Sequence, residues 1–445
     1  MKLRLLKTVS FVFAVIFLFS GCSLLDFFSA DSLLRAPKLT GENAALQQAF
    51  ENVVGKDISL FTPISGEYRA SYILVDIDND KTDEAVVFYA LNNNISVVHM
   101  HILKKSGEIW SSVADIVGSG TSVYKVDFFN TDDDKNLEVA VTWMVEDSKK
   151  GKTLSLYKIS GESTADVNAI TSIATIQLAE YICFDIDDDS INEILYLYFD
   201  TSGENEGNVS ARLLDYDVSV QNLLPVSDLT LNNQIASFVQ ILASKSGKYR
   251  NIFVDAMTFD GKLFTEVIVY DPDKAVLSVS QLDGSAMSVF TQRDSTLLCC
   301  DYNNDGQYDI PLELEYEKSG VIGSTSDIVD PVRYVSWNSY REGILYESSR
   351  YFINFADGYE IKIDDFFDEC YIIYDSDKHE TQIRSRSYYE NDLLFTIRRR
   401  SSDTADGLIN SFDSEYVIVM TSLSEALGFT KNYVNDLISE KGWFY

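Results

Sequence analysis

VDIDNDKTDEAVVFY (Val75–Tyr89) returns as FNTDDDKNLEVAVTW (Phe129–Trp143), as FDIDDDSINEILYLY (Phe184–Tyr198) and, with a glycine in its turn, as DYNNDGQYDIPLEL (Asp301–Leu314). Aligned on the first acidic or amide residue, the copies start at Asp76, Asn130, Asp185 and Asp301, at intervals of 54, 55 and 116 residues. The last interval is about twice the period, so a copy is missing near its midpoint. There the chain reads LASKSGKYRNIFVDA, with Gly247 aligned to Gly306 but Leu242 and Arg250 where acceptors belong. This stretch reads as a repeat that kept its fold and lost its ligands.

Each copy puts oxygen-bearing side chains at positions 1, 3, 5 and 9 of a short turn. The sets are Asp76, Asp78, Asp80 and Glu84; Asn130, Asp132, Asp134 and Glu138; Asp185, Asp187, Asp189 and Glu193; and Asp301, Asn303, Asp305 and Asp309, with Gln307 offering its backbone carbonyl. Oxygen ligands so spaced suit a hard cation such as Ca²⁺. Like charges this close repel unless a cation or solvent offsets them. The plainer alternative is that these side chains only cap backbone N–H groups in the turn. A helix–loop–helix calcium site is excluded, because it needs a glutamate at position 12, where Val87, Tyr196 and Leu312 stand. The Asp301 loop, with Gly306 free to take left-handed geometry, is expected to bind Ca²⁺ most tightly. The Leu242 copy is expected to bind none.

Alternating apolar runs surround every loop. YILVD, YICF and TLLCC precede the acidic turns; EAVVFYA, EVAVTWM and EILYLYF follow them. About four strands per unit is the proportion of a propeller blade. The loops resemble the FG-GAP or VCBS-type repeat, D-x-[DN]-x-D-G-x-x-D, most closely at Asp301. Lys81, Lys135 and Ser190 replace its glycine, and Glu84, Glu138 and Glu193 its last aspartate. The resemblance implies a β-propeller of about five four-stranded blades over residues 61–340. Such blades serve many functions, so it names a fold and not an activity.

The N-terminus reads as an export signal, with an uncleaved membrane helix as the alternative. MKLRLLK is basic, TVSFVFAVIFLF is apolar and SGC closes the segment. LFSGC resembles a bacterial lipobox, with Phe19 where leucine is commoner, and implies acylation of Cys22 at the end of a 1–22 signal peptide. Attached acyl chains would anchor the protein to the outer face of the cell membrane. Residues 23–60 then read as a tether and a short helix, AALQQAFENVVG.

With 36 basic and 69 acidic residues, the formal charge is −33, which argues against a nucleic-acid partner. The motifs of serine hydrolases, zinc proteases and phosphate-binding loops are absent from the sequence. His99 and His101 alternate on one strand face in VVHMHIL, but no third ligand can be assigned to them. Cys183 and Cys299 stand where other copies have Leu74 and Phe128, and so read as buried thiols. Residues 341–445 read as a C-terminal α+β domain with hairpins and a helix capped by Thr430. Arg384, Arg386, Arg398 and Arg400 read as partners of nearby acids. The sequence thus leads to a lipid-anchored, calcium-stabilised binding or scaffolding protein, not an enzyme, that recognises envelope protein or glycan. The alternative is a polysaccharide-acting enzyme that uses the propeller as its platform.

Overall fold

The computed structural model describes residues 42–440 apart from 133, 135, 145–150, 160–169, 202–206, 218, 221, 316–319, 323–330, 388–391 and 400–415. Cys22 and Arg400 therefore lie outside the described residues. The chain is mainly β. Among the described residues, six multi-stranded sheets follow one another, with a two-stranded ribbon, Gln281–Leu282 and Ser285–Ala286, after the fourth.

The second sheet shows how one repeat folds. Ser122–Phe129 leads into the acidic turn, Glu138–Met144 leaves it, and Lys152–Ile159 and Ile170–Leu178 complete an antiparallel four-stranded meander. The third sheet (from Glu180–Phe184 to Asn222–Thr230) and the fourth (from Ile235–Ser246 to Val276–Val279) repeat this order. The first sheet adds Ile58–Phe61 beside Glu84–Leu91 and has five strands. The strands after the turns are buried on both faces, which explains why EAVVFYA and EVAVTWM are continuous apolar runs.

Consecutive sheets share cores. Ile73 and Phe88 of the first pack with Val126 and Trp143 of the second. Ala140 and Leu156 meet Tyr181 and Ile194 of the third. Leu197 and Leu213 meet Val254 and Ile268 of the fourth. Phe253 and Val267 meet Ile310 and Tyr340 of the fifth, and Phe352 and Ile361 meet Ile372 and Ile397 of the sixth. This is the side-by-side order of blades. Among the described residues, however, no shared core returns from the sixth sheet to the first. The expected ring of five four-stranded blades is thus met only in its repeated antiparallel sheets.

The expected boundary at 340 falls within the fifth sheet, because Val332–Arg341 pairs with Ile344–Asn354 across it. That sheet runs from Asp309–Glu313 to Tyr359–Ile363 and ends on Ile438–Glu440. The expected strand TLLCC is reduced to one bridge, Cys300 with Asp309. Thr430 caps a helix as anticipated, accepting a hydrogen bond from the Tyr433 N–H. The helix stops at Asp436, sooner than the sequence suggests, because Ile438–Glu440 is taken up as a strand. Near the N-terminus, Leu46 and Phe50 of the helix Glu42–Val54, one turn apart, bury against Val87, Leu103 and Trp110 of the first sheet.

Candidate functional site

The acidic turns share one backbone design. Asn79, Asp188 and Asn304 at position 4 have φ of 55°, 71° and 58°; Lys81, Ser190 and Gly306 at position 6 have 73°, 74° and 84°. Only the last of these loops has a glycine there, so Lys81 and Ser190 hold a left-handed conformation that costs a side chain energy. The first aspartate ties each loop together. Asp76 accepts from the Asp80 and Lys81 N–H groups, Asp185 from Asp188, Asp189 and Ser190, and Asp301 from Asp305 and Gly306.

The position-9 glutamate reaches back underneath. Glu84 accepts from the Ile77 N–H at 2.9 Å, Glu138 from Thr131 at 2.7 Å and Glu193 from Ile186 at 2.7 Å. One oxygen of each glutamate is so used. In three groups, Asp76/Asp78/Glu84, Asp132/Asp134/Glu138 and Asp185/Asp187/Glu193, one carboxylate oxygen from each residue lies within 4.8 Å of the others. The loops also touch: Leu137 N–H donates to Ile77 O at 2.7 Å and Asn192 N–H to Asn130 O at 2.8 Å. The first three therefore stand in a row on one side of the sheets.

A lysine distinguishes them. Leu103, Tyr157 and Leu214 pair with the residues that follow Glu84, Glu138 and Glu193, and the next residue along is Lys104, Lys158 or Asp215. Lys104 Nζ pairs with Asp78 and lies 3.0 Å from Asp80 and 3.8 Å from Glu84. Lys158 Nζ pairs with Asp132 and lies 2.7 Å from Asp134. The first two loops hold an ammonium where the third has one more carboxylate. Burial pushes Glu193 up to about 8, with Asp187, Asp215 and Asp189 adding repulsion. Burial and Asp189 likewise raise Asp187. Cation fit follows from this contrast. Asp78 Oδ1, Glu84 Oε1 and Glu138 Oε1 are buried without a hydrogen bond, yet a lysine faces each group. The third group has its carboxylates without a lysine of its own sheet, and its donor set suits a hard divalent ion.

The Asp301 loop, expected to be the strongest site, is not among the groups that converge within 4.8 Å among the described residues. Asn303 supplies an amide there, and its Nδ2 donates to Asp305 at 3.1 Å. Asp309, 1% exposed, accepts from Ser348 Oγ at 3.0 Å. Gln307 N–H donates to Asp305. In the Leu242 copy the ligands give way to a hairpin around Gly247, and Lys245 and Arg250 reach across to Asp188 of the third loop. Those cations sit on an outward position-4 carboxylate, not on the position 1, 3 and 9 group.

Elsewhere, Cys183 and Cys299 are free thiols. Arg384 pairs with Asp392 and Arg398 with Glu380, as expected of a neutralising role. Sequence reading passed over Asp364 and Asp365. They line an open cleft of about 500 Å³ with Gly428, Phe429 and Tyr433, and Tyr433 OH donates to Asp364. The acidic doublet ahead of two phenylalanines, IDDFF, is the signal that marks it.

No family model matches the chain, and no curated protein matches it. Among solved structures, it is similar to levansucrase of Bacillus subtilis, at 9% identity and a TM-score of 0.27, over 69% of this chain and 86% of that one. It is also similar to an exo-β-1,3-galactanase of Phanerochaete chrysosporium, at 12% identity and 0.27, over 70% and 64%. A hypothetical selenium-binding protein of Sulfolobus tokodaii matches at 11% and 0.29, over 51% and 60%. The expectation that the chain is not an enzyme finds no support among these neighbours, which include a levansucrase and an exo-β-1,3-galactanase. At such identities and TM-scores they lend this chain no substrate; what stands is a mainly β fold with propeller-like structural neighbours.

Proposed function

We propose that the protein is exported, lipid-anchored through Cys22, and acts on a polysaccharide of the cell envelope or its surroundings. The repeated sheets, read as FG-GAP or VCBS-type blades, are its platform. The observation that carries this reading is the cleft in which Asp364 and Asp365 stand beside Tyr433. Carboxylates accept sugar hydroxyls, and a pair of them is the usual equipment for cleaving glycosidic bonds. The Tyr433 hydroxyl holds one carboxylate in place, and Asp365 is exposed. Ca²⁺, if bound, would be held by Asp185, Asp187, Asp189 and Glu193 with Asp215 beside them, where it would offset repulsion and lock the turn. That role is structural.

The test is incubation of the purified protein with isolated envelope and extracellular polysaccharides, scoring both retention and release of reducing ends. Release that falls at least tenfold in Asp364→Asn and Asp365→Asn supports the reading. Retention without release makes the cleft a binding site only. Neither retention nor release removes polysaccharide from the account. Fatty-acid labelling that is lost in Cys22→Ala checks the anchor separately.

A further inference from the structure

The face of the first sheet beneath the N-terminal helix carries a second, chemically different cluster. His99 and His101 alternate on Asn94–Ser106, so both rings leave the sheet on one side. Asp115 is the direct cross-strand partner of His101, and Tyr89 that of His99. Four functional side chains from three adjacent strands thus share one face. His99 Nδ1 lies 3.4 Å from Asp115 Oδ2, and His101 Nδ1 lies 3.5 Å from Asp115 Oδ1. Tyr89 OH donates to the same carboxylate at 3.1 Å. Phe50 of the helix closes the cluster on one side, with its ring centroid 5.4 Å from that of His101.

His101 is fully buried, and neither of its ring nitrogens makes a hydrogen bond; His99 Nδ1 is likewise without one. A buried polar group left unmatched costs stability. Both Nδ1 atoms face the Asp115 carboxylate. The Asp115 side chain is 40% exposed, which leaves the cluster an entrance from solvent. Two ligands on a tetrahedral zinc-like ion stand roughly 3.4 Å apart, given bonds of about 2.0–2.1 Å. Each imidazole–carboxylate pair already has that separation. The three donors do not lie within 4.8 Å of one another as they stand, and the rings sit on different carboxylate oxygens, so closing on one ion requires Asp115 and the rings to rotate.

We propose that His99, His101 and Asp115 form a site for a divalent transition-metal ion of the zinc class, with Tyr89 orienting the carboxylate. Imidazole nitrogen selects such ions over Ca²⁺, which prefers oxygen throughout. The site is separate from the acidic turns, and from the cleft on which the proposed activity rests. A bound ion would join two strands of the first sheet under Phe50 and so fasten the helix Glu42–Val54 that leads to the N-terminus.

The test is a Co²⁺ titration of the metal-stripped, folded protein in excess Ca²⁺, followed by visible absorption, then by displacement with Zn²⁺. The expected result is one Co²⁺ with a histidine-ligand spectrum, displaced by one Zn²⁺. Affinity should fall at least tenfold in His99→Ala and in Asp115→Asn, and stay unchanged in Asp187→Asn. Circular dichroism establishes that each variant is folded; His99 and Asp115 are chosen because neither is fully buried. No Co²⁺ spectrum in the wild type, or one unaltered in both folded variants, overturns the proposal.

Discussion

Lys104 and Asp215 occupy the same place beside their loops, one residue beyond the cross-strand partner of the residue that follows Glu84 or Glu193, and carry opposite charges. This pairing divides loops that look alike in sequence into two kinds. Where lysine stands, the turn is held by an internal ion pair. Where Asp215 stands, the carboxylates repel, and an external cation has something to neutralise.

Replacing the internal cation should therefore convert one kind into the other. Lys158→Gln leaves Asp132 and Glu138, 3% and 0% exposed, without their counter-charge. Breaking a buried pair costs about 3–5 kcal/mol, and partial exposure of Lys158 lowers this to about 1–3. Urea unfolding should show that loss without Ca²⁺ and a partial recovery with it. A variant as stable as wild type without Ca²⁺ would refute the neutralising role.

The left-handed residues give a second expectation. Lys81→Gly and Ser190→Gly relieve a strain of about 1–2 kcal/mol and give up some of it to the greater freedom of unfolded glycine. Each should raise the midpoint of urea unfolding, by the equivalent of roughly 0.5–1 kcal/mol. Gly306→Ala should act in the opposite sense.

How much of this was legible in the sequence follows from distance along the chain. The turns were, because their acceptors lie within nine residues and the flanking strands are continuous apolar runs. Lys104, Lys158 and Asp215 were not, since about twenty residues separate each from its loop and only sheet register unites them. Asp115 stayed hidden from His99 and His101 for the same reason. The Asp301 loop matched its motif best, yet its three aspartates do not group within 4.8 Å, because the motif records residue types and not the amide turned toward Asp305 or the serine that holds Asp309.

Arg293 and Asp255 are both 0% exposed, 2.9 Å apart, and tie the fourth sheet to the segment leading into the fifth. Arg293 also donates to Leu297 O, Thr265 Oγ1 and Thr291 O. Arg293→Met strands a buried carboxylate and should cost about 3–5 kcal/mol. The double variant with Asp255→Asn should regain part of it in equilibrium unfolding. Equal losses in the single and double variants would show that packing, not charge, sets the cost.

Glu266 is 1% exposed, one of its oxygens has no hydrogen bond, and burial pushes it up to about 7. Between the ordinary glutamate range and about pH 7, the folded protein keeps a proton that the unfolded chain has released. Its contribution to stability therefore declines as pH rises through that window. Glu266→Gln should remove this decline and be more stable than wild type at pH 8. A wild type and variant with parallel stability profiles would contradict it.

The most direct measurement is calorimetric titration of the metal-stripped protein with Ca²⁺, beside the single variant Asp215→Lys. One Ca²⁺ per chain in the wild type and none in Asp215→Lys is the predicted result, with Asp187→Asn also losing it. Two or more equivalents in the wild type, or one that persists in folded Asp215→Lys, would contradict the claim that this one position decides which acidic turn takes a cation.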